Sequence, residues 1–242
     1  MNILKIKIDN SLYLFLLLVI MTGMFKEFSF VFILLFFHEL GHAITGILFK
    51  WKLVSITFYP YGGVTLFQKL ENSSIRKEII ILLAGPFIQT LTYLSLSCFF
   101  KYDYIKVYHI SILIFNLLPI LSLDGGRLLN LFLNKVFNYL KSFYISVGIS
   151  IFTILSLILF CIFFYNNLNL FLMGIFLVFK VINSLKNIKY CYHKFILERF
   201  LYDFNFNKRR VSRDIYSFYM ESTHYIYFKD EKSYLREYFN RK

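Results

Sequence analysis

From Ser142 to Phe179 the chain carries no charged side chain. Crossing the roughly 30 Å hydrocarbon core of a bilayer takes about 20 apolar residues in a helix, so this stretch has room for two crossings. Asn166, Asn167 and Asn169 mark the turn between them. Further apolar runs cover residues 10–25, 28–49, 79–100 and 107–134, the last interrupted by Asp124 and Arg127. Backbone polar groups have no water to bond inside lipid, so such runs must be helices. The expected fold is therefore an all-α polytopic membrane protein with six transmembrane helices. Composition agrees: 58% of residues are hydrophobic and 17% charged, against roughly 45–50% and about 25% in soluble domains. The first run follows Lys5 and Lys7 like a signal peptide, but no small-residue cleavage site comes after it, so it is read as a retained span. Gly85-Pro86 predicts a kink in the third.

Between the second and third runs, residues 51–67 are rich in β-branched and aromatic side chains around Pro60-Tyr61-Gly62-Gly63. That pattern predicts a short β-hairpin at the membrane surface. The expected organisation is a membrane domain over residues 1–185 and a small basic cytoplasmic tail over 186–242, with room for helices and one short strand, Tyr225–Phe228. The three cysteines, Cys98, Cys161 and Cys191, are widely separated and have no disulfide or cysteine-zinc spacing.

The formal net charge of +13 raises the question of nucleic acid. Its distribution answers it. Thirteen of the 27 Lys and Arg lie between Lys186 and Lys242, and the others flank the apolar runs without forming a basic stripe. No direct nucleic-acid partner is expected; basic flanks orient membrane helices. With both termini in the cytoplasm, the cytoplasmic side collects Lys5, Lys7, Lys50, Lys52, Lys69, Arg76, Lys77, Arg127, Lys135, Lys141 and the tail. The outside then keeps only Lys26, Lys101 and Lys106. Lys180, inside the last run, reaches the cytoplasmic end by snorkelling.

Among fourteen acidic residues, Glu39 and Asp124 alone interrupt the expected spans. A carboxylate at a helix centre costs about 2.5–3.5 kcal/mol on insertion scales, so each demands a purpose. Glu39 lies in His38-Glu39-Leu40-Gly41-His42. Residues i and i+4 share a helix face, so both imidazoles can bind one metal ion while Glu39 lies beside it as general base. Catalytic zinc takes three protein ligands and an open position. Asp124, heading Asp124-Gly125-Gly126-Arg127, is the expected third ligand. The charge argument places it near the cytoplasmic end of its span, as it does His42. Asn116 precedes Asp124 by about two turns and serves either an oxyanion or an interhelical hydrogen bond. The implied chemistry is zinc-assisted hydrolysis. A transporter would spread its polar groups along a path through the bilayer, and a scaffold would have no use for Glu39. His109, His193 and His224 have no ligand spacing and are read as interface or surface residues.

These residues resemble the site-2 protease family of intramembrane zinc metalloproteases. His38-Glu39-Leu40-Gly41-His42-Ala43 is similar to its first zinc motif, and Asn116-Leu117-Leu118-Pro119 followed by Leu123-Asp124-Gly125-Gly126-Arg127 to its second. The resemblance implies His38, His42 and Asp124 as ligands of one zinc ion, Glu39 as acid/base and Asn116 as an active-site residue. Pro119 matches a proline in the unwound part of the ligand-bearing helix. Pro60 to Gly63, Ala84-Gly85-Pro86 and Phe195-Ile196-Leu197-Glu198-Arg199-Phe200 resemble the stage IV sporulation protein FB group within the family. On that likeness Gly62, Gly63 and Pro119 would lie against substrate. The implied substrate is the membrane-associated pro-form of a late sporulation sigma factor, in the mother-cell membrane around the forespore, with inhibitory membrane partners. The alternative substrates are an anti-sigma factor or a remnant signal peptide. Two features depart from the group: Ser122 stands where it has proline, and residues 206–242 are too few for its complete nucleotide-responsive CBS domain.

Overall fold

The computed structural model describes residues 6–60, 62–160, 162–163, 168–226 and 229–240. It is mostly helical and divides into two compact units, residues 1–69 with 76–116, and residues 70–75 with 117–242. Three helices among the described residues are long and apolar enough to cross a membrane: α2 (Phe25–Leu48), α3 (Ile75–Phe99) and α6 (Tyr139–Phe160). α1 (Asn10–Thr22) is a shorter apolar helix.

In the first unit the expected hairpin forms as β2 (Lys52–Tyr59) and β3 (Gly62–Gln68), paired antiparallel from Lys52↔Gln68 to Tyr59↔Gly62. Gly62 sits at φ +144°, a conformation that excludes most side chains, so the turn itself needs this glycine. Tyr61 lies outside the described residues. A strand that hydropathy did not reveal, β1 (Ile6–Ile8), adds parallel to β2 and completes the order β1-β2-β3. Asp9 ends β1 by donating its N–H to Phe58 O (3.1 Å) and starts α1 by accepting from the Ser11 N–H (3.0 Å). The sheet buries Ile56 and Phe58 with Leu12 of α1 and Ala43 of α2, and Phe28, Phe32 and Phe36 pack round them. α2 and α3 approach closely at glycine: a Cβ on Gly41 would lie 2.6 Å from Ala84 O. α3 runs on through Pro86.

The run expected over 107–134 is two helices, α4 (Asp103–Leu117) and α5 (Asp124–Val136). The first unit takes in α4 through Asn116, and the second holds the break and α5. Backbone packing explains why the second helix begins where it does. A Cβ on Gly125 would lie 2.1 Å from Leu117 O, and one on Gly126 2.1 Å from Ile120 C, so the glycine pair lets the first turn of α5 fold against the break. The exposed peptide groups find a side-chain partner in α6. Buried Ser150 accepts from the Leu121 N–H (2.9 Å), and its hydroxyl lies 3.3 Å from Pro119 O. Ser142, Ser146 and Ser150 form a buried i, i+4 stripe on α6.

α7 (Leu168–Leu201) continues from the last apolar run deep into the basic tail. Asn169 falls in its first turn, and Asn166 and Asn167 lie outside the described residues. The rest of the tail folds into β4 (Lys208–Val211), β5 (Ser222–Ile226), β6 (Lys229–Asp230) and α8 (Glu231–Asn240), with sheet order β4-β5-β6. Sequence patterning gave this region one strand, near Tyr225–Phe228; β5 starts three residues earlier, and Tyr227 and Phe228 lie outside the described residues. Its centre is Arg199, 3% exposed. Arg199 donates to Asn72 Oδ1 (2.7 Å), Ser222 O (2.8 Å), Glu231 Oε1 (2.9 Å) and Tyr219 O (2.8 Å). Its guanidinium lies over the rings of Phe195, Phe206 and Phe218. Asn72 also donates to Glu198, and the Ile75 N–H donates to Glu221, so residues 70–75 are tied to the tail module.

His224, also fully buried, accepts the Tyr219 N–H at Nε2 (2.9 Å) and faces Glu231 Oε2 through Nδ1 (3.2 Å). Burial holds its ring below the usual imidazole range; Glu231 opposes that shift and Arg199 reinforces it. The unfolded chain therefore binds a proton at about pH 6.5 that the folded tail refuses. Stability is complete above that pH and falls as pH drops below it, by at most about 1.4 kcal/mol per pH unit. The melting temperature should decline between pH 6.5 and 5, and decline less in His224→Gln, whose amide oxygen can still accept from Tyr219.

Candidate metal centre

Glu39 and the two histidines of the His-Glu-x-x-His run are buried on α2: His38 is 1% exposed, Glu39 7% and His42 7%. The i, i+4 spacing stacks the imidazoles edge to face with their Nε2 atoms 3.1 Å apart. Each ring is held from behind by an oxygen on α3. His38 Nδ1 lies 2.9 Å from Gln89 Oε1, and His42 Nδ1 lies 2.8 Å from Ile81 O. Carbonyl oxygens only accept, so each Nδ1 carries the hydrogen and the two Nε2 atoms are turned toward each other. The donor set, two imidazoles in a buried setting, suits zinc. The backbone leaves room there: a Cβ on Gly85 would lie 2.4 Å from His42 Nε2 and 2.9 Å from His38 Nε2.

Glu39 points to the hairpin. Thr65 donates its hydroxyl to Glu39 Oε2 (2.7 Å), and β3 passes so close that a Cβ on Gly63 would lie 2.2 Å from Glu39 Cγ. Gly63 is thus required by close approach to Glu39, whereas Gly62 is required by its own φ. About two turns along α2, Phe67 fills the space over Gly46, fixing β3 against α2.

The remaining expected residues lie on the later elements. Asn116 is the penultimate residue of α4, half-buried. Pro119 lies in the break before α5. Asp124 is the first residue of α5, half-buried, after an extended Leu123 (φ −108°, ψ 167°). Sequence reading overlooked Gln89 and Thr65. Gln89 is an uncharged amide inside an apolar run, the same signal that drew attention to Asn116, and only its fully buried position distinguishes it. Thr65 carries no signal beyond its place in a strand. Of the histidines without ligand spacing, His193 is exposed, while His109 and His224 are buried.

The peptidase family M50 sequence model matches residues 27–103. The chain is 27% identical over 207 residues to the stage IV sporulation protein FB of Bacillus subtilis, covering 82% of this chain and 72% of that protein. It is 34% identical over 162 residues to a zinc metalloprotease of Methanocaldococcus jannaschii, covering 60% of this chain but 47% of that one. A solved site-2 protease from Methanocaldococcus jannaschii superposes with a TM-score of 0.56 at 27% identity, over 74% of this chain and 89% of the other. These matches bear out the resemblance to the site-2 proteases, with the peptidase family M50 model matching residues 27–103. The chain is an intramembrane zinc metalloendopeptidase, and its cofactor is one zinc ion.

Gly85 and Gly63 crowd different groups, the first the histidine pair and the second Glu39. Gly85→Ala should weaken zinc binding more than about tenfold by forcing a methyl group against both Nε2 atoms, measured by chelator competition on the purified chain. Gly63→Ala, which crowds only Glu39, should leave that affinity unchanged and still abolish peptide hydrolysis.

Proposed function

We propose that this protease cleaves the membrane-associated pro-form of a late sporulation sigma factor, with His38, His42 and Asp124 holding zinc and Glu39 moving the proton. The observation that carries the reading is the pair of imidazole Nε2 atoms set 3.1 Å apart, with Glu39 buried on the same helix. Asp124 is supported by its chemistry and place. It interrupts an apolar run, where a carboxylate needs a purpose, and it heads a helix whose glycines and Ser150 fix the turn before it.

When bound, zinc supplies Lewis acidity that polarises the scissile carbonyl and lowers the pKa of water toward about 7. The chain's own residues do the rest. Glu39, oriented by the Thr65 hydroxyl, takes the proton of the attacking water and returns it to the leaving amine. Asn116 offers an amide N–H to the developing oxyanion. Ile81 O and Gln89 keep the imidazoles in the tautomer that can ligate. β3, with Gly63 next to Glu39, is the segment beside which the substrate backbone passes.

The substrate assignment rests on the similarity to the stage IV sporulation protein FB, which extends over 82% of this chain. Six spans with both termini in the cytoplasm, as the lysine and arginine asymmetry indicates, would put His42 and Asp124 toward the cytoplasmic ends of their spans, where such a pro-sequence would enter. The mother-cell membrane around the forespore is the corresponding location, and membrane proteins that restrain cleavage are the corresponding partners.

Co-expression with a pro-sigma factor tests this directly. The wild-type chain should convert the precursor, and Glu39→Gln and Asp124→Asn should each lower conversion at least about 100-fold. Glu39→Gln should do so while keeping its zinc. Equal processing by all three chains would refute the proposal.

A further inference from the structure

The two histidines are held in different ways. His42 donates to Ile81 O, a main-chain carbonyl that presents an acceptor whatever the side chain at 81. His38 depends on the Gln89 carboxamide, whose two ends are nearly equal in size and opposite in chemistry. With its oxygen toward His38, the ring keeps hydrogen on Nδ1 and a lone pair on Nε2. With its NH2 group there, the ring would carry hydrogen on Nε2, pointed at His42, and could not ligate.

α4 decides between these states. Gln89 Nε2 lies 3.2 Å from the main-chain oxygen of His109, an atom that can only accept, and 3.3 Å from His109 Nδ1. The amide nitrogen must therefore face α4, which leaves the oxygen for His38. The His109 ring is in turn fixed against Tyr93, stacked at 4.4 Å with an interplanar angle of 2°. Gln89 is 0% exposed and His109 8%, so both contacts lie away from bulk solvent.

We propose that Gln89 is a positioning residue that sets the tautomer of His38 and thereby the zinc affinity of the pair, with its own orientation dictated by α4. The inference rests on the reading of His38 and His42 as zinc ligands. It makes α2, α3 and α4 a single relay from the His109 carbonyl through the amide to the imidazole. Neutral acceptors of this kind also raise the basicity of a ligating ring.

Zinc affinity of the purified full chain in micelles, by competition with a chromophoric chelator, is the readout, and needs no substrate. Gln89→Leu keeps the volume and removes both polar ends; it should bind zinc 10–100-fold more weakly. Gln89→Glu keeps an oxygen for His38 and, when protonated, a donor for the His109 carbonyl; it should stay within about threefold of wild type. Wild-type affinity in Gln89→Leu would overturn the proposal. So would equal loss in both variants, which would mark Gln89 as packing alone. His38→Ala, measured beside them, separates the two levels: it should lose zinc even if Gln89→Leu does not. Unchanged affinity there would instead remove the reading of the histidine pair on which the proposal stands.

Discussion

Two imidazoles on adjacent turns of one helix face each other with hydrogen already assigned to their far sides, and most of the first unit follows from keeping them so. Acceptors behind both rings have to come from α3, so α2 and α3 must lie closer than ordinary side chains allow. Gly41 against Ala84 provides that approach, and Gly85 leaves the space between the rings open. The same helix must present Glu39 to something other than lipid, which the hairpin supplies through Thr65 and Gly63. β1 and the phenylalanine cluster of α2 then anchor the hairpin. A buried polar constellation in an apolar setting is tolerable only when its donors and acceptors are paired, and here the pairing also keeps hydrogen on both Nδ1 atoms.

The second unit solves a different problem. A polypeptide that carries a carboxylate at the head of a helix within an apolar run must break the preceding helix and still satisfy its peptide groups. Pro119 removes one donor, Ser150 takes up another, and Gly125 and Gly126 allow the new helix to start against the backbone it has just left. At the other end of this unit, α7 runs without interruption from the last apolar stretch to Arg199. That guanidinium organises the small sheet, three aromatic rings and the segment 70–75 into one module. The connection between β3 and α3 is thereby held by residues more than a hundred positions away.

Much of this was legible in the sequence, because the strongest signals were energetic. Apolar runs announced α1, α2, α3 and α6, and the cost of a carboxylate in lipid singled out Glu39 and Asp124. His38 and His42 followed from helical periodicity, and the hairpin from its composition and glycines. What stayed hidden depends on partners distant in sequence. β1 is three residues of ordinary pattern that become a strand only beside Ile56–Phe58. The break at residues 118–123 is invisible to hydropathy because every residue there is apolar or small. Gln89 gains its meaning from His38 and His109, and the tail's basic character concealed a core because Arg199, normally a surface residue, is its centre.

The account comes down to what surrounds the zinc ion. Zinc-edge X-ray absorption on the purified chain, loaded with one equivalent of metal after removal of any affinity tag, reads that environment without reference to substrate or cleavage. It should show a shell of nitrogen and oxygen at about 2.0–2.1 Å, two imidazoles' worth of outer scattering and no sulfur. A sulfur shell, or a spectrum without imidazole scattering, would contradict the assignment of the histidine pair.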